Sequence, residues 1–169
     1  MAGEIGHVRI AEDGPLDYGK VGTFSGFCSG GSLPRAAAPL IRSHILAGKP
    51  PMFCPTLDDL QTVTTEAIGK AAQQGDPLAL QIFEHAARKL GQGISILVDV
   101  LNPERIVIGS IYVRLQSIIE PYMLEELRRE ALPPSLSVCE VVPAQLGEQI
   151  GDYASLSVAW QLLESLSEQ

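Results

Sequence analysis

Asn102-Pro103-Glu104-Arg105-Ile106-Val107-Ile108-Gly109 is the stretch on which the reading of the fold turns. Asn-Pro ends whatever helix precedes it, because proline has no N–H to donate and biases its neighbour away from helical dihedrals. Arg105 to Gly109 then forms a continuous apolar run closed by glycine, the pattern of a buried strand. Upstream, Asp76-Pro77 supplies an N-cap acceptor followed by proline at the first helical position, and the apolar periodicity through Leu80, Phe83, Ala87, Leu90, Ile94, Leu97 and Val98 predicts a helix over 77–101. Gly91 and Gly93 weaken that helix by roughly 1 kcal/mol each against alanine, but would let another backbone come close. Downstream, a helix is predicted over 112–131 despite Pro121, a strand over 137–143, and a final amphipathic helix over 152–166. Helices alternating with strands in this order predict an α/β domain with helices packed on a sheet.

The first half reads differently. Residues 7–10 suggest a short strand, and Glu12-Asp13-Gly14-Pro15 a turn. The glycine-rich stretch 18–32 leaves too little side chain for a helix, so an ordered or mobile loop is expected, depending on whether Phe24 and Phe27 dock. A helix follows over 33–47, stopped by Gly48-Lys49-Pro50-Pro51, and a second begins at a capping pattern near Thr56-Leu57-Asp58-Asp59 and ends at Gly75.

The 169 residues suit one domain, 1–169, and 46% hydrophobic residues with a mean hydropathy of +0.16 are enough for a filled core. A net charge of −8 argues against a nucleic-acid surface, whose affinity rests on Lys and Arg neutralising phosphates. Cys28, Cys54 and Cys139 are too dispersed for a disulfide framework or a zinc site. The first residues form no apolar signal segment, and there is no run of 18 apolar residues. A soluble, cytoplasmic protein without membrane contact is expected.

Three places could carry chemistry. Glu4 and His7 flank Ile5-Gly6; a carboxylate and an imidazole so placed can accept from and donate to neighbouring hydroxyls, as a sugar presents, though an exposed Glu beside a packed His would look the same. The glycine-rich stretch would serve a ligand or act as a structural loop equally well. Gly109 and Ser110 stand where a strand runs into a helix, where open α/β sheets bind ligands. No P-loop, Ser/His/Asp or Cys/His set is present, and Asp17-Tyr18-Gly19-Lys20 lacks the context of a phosphate-binding D-x-G start.

Together these pieces resemble the ROK family of repressors and sugar kinases. Gly3-Glu4-Ile5-Gly6-His7 is similar to its E-x-G-H motif, and residues 102–109 to its N-P-E-x-I-V-I-G strand. Ala71-Ala72 through Gly75-Asp76-Pro77-Leu78-Ala79 and Leu146-Gly147 through Gly151-Asp152-Tyr153-Ala154 fall where the family has similar runs. The resemblance covers essentially the whole chain in family order. It implies the actin-like ATPase (ribonuclease H-like) fold and places the chain as the C-terminal lobe of a kinase that moves the ATP γ-phosphate to a hexose. Glu4 and His7 would bind the sugar, with Ser25 at the position of the family's second sugar-binding glutamate. Gly109 and Ser110 would face the nucleotide, Ser110 replacing a glycine and expected to crowd it. No catalytic residue is expected here, since the phosphate-gripping D-x-G-x-T loop and the catalytic aspartate belong to the N-terminal lobe. ATP with Mg2+ is the cofactor implied for the full-length kinase, none is expected on this chain alone, and the implied partners are a hexose, the N-terminal lobe and a second copy in a homodimer. The alternative is a non-catalytic sugar-sensing or dimerisation module of a ROK-type transcriptional regulator.

The family's C-x-C-G-x-x-G-C zinc motif falls on Leu16, Tyr18 and Thr23 at its cysteine positions. Zinc needs thiolate or imidazole donors, and these side chains offer none. Metal analysis of the dialysed protein should therefore find far less than one zinc per chain. A stoichiometric amount would mean that the loop is aligned wrongly.

Overall fold

The computed structural model describes residues 3–167. Its frame is helical. Helix α4 (Pro77–Leu101) runs for 25 residues, about 37 Å at 1.5 Å per residue. The Asp76 carboxylate accepts from the Ala79 N–H at 2.9 Å to start it, and Asn102 in a left-handed conformation (φ 45°) ends it. Helix α6 (Gln116–Glu130) packs along α4, with α2 (Leu33–Leu46) and α3 (Thr65–Gln73) completing the layer. Phe83, Ile94 and Val98 of α4 meet Ile119, Met123 and Leu127 of α6 in the core, which Ile41 and Ile68 close from α2 and α3.

Three consecutive residues of α4 fix its neighbours. A Cβ on Gly91 would lie 2.4 Å from the Met123 carbonyl oxygen and 2.8 Å from Glu126 Cβ, so the α4 and α6 backbones are in direct contact there. The Gln92 amide donates to the Ile10 carbonyl at 3.2 Å. At Gly93 the Phe24 ring fills the place of a side chain, its nearest atom 2.3 Å from where a Cβ would be. One turn before Gly91, Arg88 pairs with Glu84, Glu125 and Glu126 and lies over the Tyr122 ring at 5.4 Å.

Strands β3 (Arg105–Ile108) and β4 (Glu140–Pro143) pair in parallel, with Arg105 opposite Glu140 and Ile108 opposite Pro143. Between them the chain passes through α5 (Ile111–Arg114), α6 and the single turn α7 (Pro133–Leu136). The strand expected at 105–109 is present but not buried on both faces: Ile106 and Ile108 pack on the core while Val107 is 60% exposed. With two strands, this sheet has one covered face, whereas a continuous apolar run had suggested two.

Five other expectations change. Residues 7–10 do not form a strand. The chain makes a 3-10 turn at Ile5–His7, closed by His7 N–H to Glu4 O (3.1 Å) and Val8 N–H to Ile5 O (3.0 Å), and only Arg9 bridges to Thr23. The glycine-rich stretch holds a hairpin, β1 (Leu16–Asp17) with β2 (Lys20–Val21), and a helix, α1 (Phe24–Cys28). The hairpin turn has positive φ at Tyr18 (45°) and Gly19 (76°), as a two-residue I′ connection requires. Thr23 Oγ1 accepts from the Gly26 N–H at 3.1 Å, and this cap starts the helix that glycine content had argued against. The single helix expected from residue 56 is two pieces, a 3-10 turn at Asp58–Thr62 begun by the Thr56–Asp59 box and then α3 capped by Thr64. The helix expected over 112–131 breaks at Leu115, so that Pro121 falls within the second turn of α6. The last helix, α8 (Ile150–Ser167), is not amphipathic against this body: Tyr153, Leu156, Val158 and Trp160 are all at least half exposed.

Gly91→Ala separates propensity from packing. Alanine gains roughly 1 kcal/mol as a helix former, but its methyl would collide with the α6 backbone, and overpacking costs about 1–3 kcal/mol. Urea denaturation should show a net loss of up to about 2 kcal/mol. A variant as stable as the parent would mean that α6 shifts without cost.

Candidate functional site

The N-terminal segment, the hairpin and α1 form one polar corner. Gly6, between Glu4 and His7, packs against Ser25; a Cβ there would be 3.2 Å from Ser25 Cβ. Lys20 Nζ donates to the His7 carbonyl at 2.8 Å, and the Phe24 N–H donates to the Val8 carbonyl at 2.9 Å. Thus the turn bearing Glu4 and His7 lies against α1 and under the hairpin. Both side chains are exposed, and neither forms a side-chain hydrogen bond among the described residues. Their chemistry is available to a ligand: acceptor capacity on Glu4, and donor and acceptor on a neutral His7.

Asp17 is the residue of this corner that sequence reasoning passed over. Its side chain is 10% exposed; Ser25 Oγ donates to Oδ2 at 2.5 Å and Arg35 reaches Oδ1 at 3.4 Å. Arg35 also donates to Ser32 Oγ at 3.1 Å, tying the carboxylate to the start of α2. The signal that could have found it was hairpin pairing: Tyr18-Gly19 as an I′ turn sets Asp17 opposite Lys20 and aims both at their flanking turns.

Gly109 and Ser110 lie at the carboxyl end of β3, beyond the other end of α1. A cavity of about 290 Å3 opens between them and the Cys28–Gly30 segment, with Phe83, Ala87 and Tyr112 as its apolar floor. A more polar cleft of about 420 Å3 lies on the other side of Ser110, lined by Thr65, Glu66, Lys70, Gln73 and Arg114. Cys28 Sγ points at the Ala86 carbonyl (3.7 Å), and burial holds its thiol well above the ordinary range, opposed in part by Lys89. Ser110 has φ 57° and ψ −132°, a conformation open to glycine and strained for any other residue. A Cβ on Gly109 would make only an ordinary contact, 3.7 Å from Ala144. The glycine requirement of this turn therefore sits at position 110, where the chain has serine.

Gly6 brings the turn that carries Glu4 and His7 against Ser25, and Gly109 and Ser110 adjoin at the carboxyl end of β3. Ser25 lies near the start of α1, and the Cys28–Gly30 segment at its end lines the cavity with Gly109 and Ser110. Leu16, Tyr18 and Thr23 form parts of the hairpin and the α1 cap, and no group of three or more His, Cys, Asp or Glu that could hold a metal ion exists among the described residues. No helix of the described residues is long and apolar enough to cross a membrane.

A family model described as the ROK family matches residues 1–159. A glucokinase from Halalkalibacterium halodurans is 30% identical over 153 residues, which are 89% of this chain and 45% of that protein. The DNA-binding transcriptional dual regulator NagC of Escherichia coli K12 is 27% identical over 155 residues, 90% of this chain and 36% of its own length. Among solved structures, a ROK-family glucokinase from Streptomyces griseus in complex with glucose and AMPPNP superposes with a TM-score of 0.67 at 26% identity, covering 88% of this chain and 48% of that one. A ROK-family transcriptional regulator, a homologue of the E. coli MLC protein, gives a TM-score of 0.67 at 29% identity over 84% of this chain and 34% of its own. The chain thus spans less than half the length of these relatives, among which kinases and repressors both occur. Its fold is that of the actin-like ATPase lobes of those sugar kinases, and the chain belongs to the ROK family.

Proposed function

We propose that this chain is the sugar- and nucleotide-contacting C-terminal lobe of a ROK-type hexose kinase, inactive in phosphoryl transfer without the lobe that carries the catalytic aspartate. The observation that supports the reading is that the turn of Glu4 and His7 packs through Gly6 on Ser25 near the start of α1, while Gly109 and Ser110 share a cavity with the Cys28–Gly30 segment at its end. A hexose held at the first group and a nucleotide at the second would approach each other along that short helix, as transfer of a phosphoryl group requires. The apolar cavity beside Ser110 suits a flat ring, and the neighbouring cleft carries Arg114 and Lys70, the latter bridged to Glu66 at 2.7 Å, as cations that a phosphate would share. The solved glucokinase complex with glucose and AMPPNP, at 26% identity, supports both ligand classes. A homodimer and a cytoplasmic setting belong to the same reading.

Ser110 favours a second reading, the sugar-sensing module of a regulator, because a strained serine at the strand end is a poor host for a nucleotide. Repressors among the relatives agree with it.

One wall of a two-lobed cleft binds weakly. D-glucose should bind the chain with Kd on the order of millimolar, about 4 kcal/mol. Glu4→Gln or His7→Ala should weaken it by about tenfold or more, the loss of a hydrogen bond involving a charged or directional polar group. NMR titration measures both, and a parent chain that ignores hexoses, or variants that bind as well as it does, would remove the sugar site. The purified chain should not consume ATP in the presence of hexose, and turnover above background would overturn the assignment as an inactive lobe.

Ser110→Gly distinguishes the two readings. Relief of the positive φ should raise stability by about 1 kcal/mol in urea denaturation. Under the kinase-lobe reading it should also tighten MgATP binding. Unchanged, undetectable nucleotide binding alongside retained glucose binding would favour the regulator module.

A further inference from the structure

Ser25 stands where the family resemblance places a sugar-binding glutamate, yet the structure does not leave that corner without a carboxylate. Asp17 reaches it from strand β1, a separate element of the chain. Both of its oxygens are engaged, Oδ2 by the Ser25 hydroxyl at 2.5 Å and Oδ1 by Arg35 at 3.4 Å. A serine hydroxyl has one proton to give and two lone pairs to offer. Here the proton is committed to Asp17, in the short range of a charge-assisted O–H···O⁻ bond. Only acceptor capacity is left on Ser25 Oγ, and the ionised partner makes that oxygen more electron-rich. Gly6 packs on Ser25 between Glu4 and His7, so this oxygen belongs to the same corner as they do.

We infer that Asp17 and Ser25 act as a pair that presents a sugar hydroxyl with the acceptor-only polarity of a carboxylate, Ser25 Oγ touching the sugar and Asp17 positioning it from behind. This rests on the sugar-binding reading above. The hairpin is the device that makes the pairing possible. Asp17 sits directly opposite Lys20, whose ammonium holds the His7 carbonyl at 2.8 Å. A two-residue turn therefore steers one charged side chain to Ser25 and the other to the turn of Glu4 and His7. Arg35 holds the other carboxylate oxygen without occupying the one that Ser25 uses.

The pair makes a counter-intuitive forecast for Ser25→Glu. Restoring the family's glutamate alone would set two carboxylates side by side in a partly buried corner, and like charges at that range oppose each other. The single variant should bind D-glucose no better than the parent. Combining Ser25→Glu with Asp17→Ser, which moves the charge to position 25, should bind at least as well as the parent.

The test is NMR titration of the full chain with D-glucose and with monodeoxyfluoro-D-glucoses. Fluorine cannot donate, so one analogue of the panel should bind the parent at least about tenfold more weakly than glucose, the loss expected when an acceptor-only site meets a group that cannot donate. Ser25→Ala and Asp17→Asn should each weaken glucose binding several-fold. Their combination should be no weaker than the worse single variant, because the two residues act through one contact. On Ser25→Ala the distinguishing analogue should bind like glucose. If Asp17→Asn fails to fold, as thermal unfolding followed by circular dichroism would reveal, Ser25→Ala carries the test, since it leaves the Asp17–Arg35 pair intact. Glucose binding that is unchanged in both variants, or losses that simply add, would overturn the pair while leaving the sugar site standing. A parent chain that binds no glucose would overturn both.

Discussion

The contact between Gly91 and the α6 backbone is the constraint around which the rest is arranged. Because no side chain stands between them, α4 and α6 approach until carbonyl and Cα atoms touch, and a long apolar interface closes on both sides. The next two residues extend the node in other directions. Successive helical positions point about 100° apart; Gln92 therefore takes the Ile10 carbonyl and Gly93 takes the Phe24 ring, away from α6. Three residues in a row thus bind the core partner, the N-terminal segment and α1. The polar corner owes its place to the same few ångströms of α4 that organise the core.

This explains which parts of the molecule were legible in the chain. Helix α4 was readable end to end because both of its signals are local: Asp76-Pro77 starts it and Asn102-Pro103 stops it. The two glycines within it suggested close backbone approach, and Gly91 serves that use, whereas Gly93 admits the Phe24 ring instead. The glycine-rich stretch misled because glycine was counted as a helix breaker, whereas Thr23 supplies a cap and Phe24 and Phe27 supply burial. Tertiary docking outweighs propensity over so few residues. Residues 7–10 misled for the opposite reason. An alternating pattern needs a partner strand, and Gly22 O alone answers the N–H groups of Ile10 and Ala11. The breaks at Leu115 and Val63 follow from capping and backbone geometry that period counting does not weigh.

The site shows the same division. Glu4 and His7 were visible as a spaced pair of polar residues, and their turn was not. Asp17 was invisible as a partner of Ser25, since eight residues and a reversal of chain direction separate them. A missing charge-bearing residue at one alignment position says little about the charge at that place in space. Ser110 presents the converse case, for its serine was noticed in the sequence but only the backbone dihedral gives it an energetic meaning.

Cys28 gives one of these features a further use. It is the last residue of α1, partly buried at the edge of the cavity with its sulfur 3.7 Å from the Ala86 carbonyl, and burial raises its thiol above the ordinary range. A protonated thiol is a poor nucleophile toward alkylating reagents and oxidants. Its reactivity is therefore set by the packing of α1 on α4, which raises the thiol, more than by the thiol's own acidity in water, although the cavity beside it leaves the sulfur within reach of small reagents.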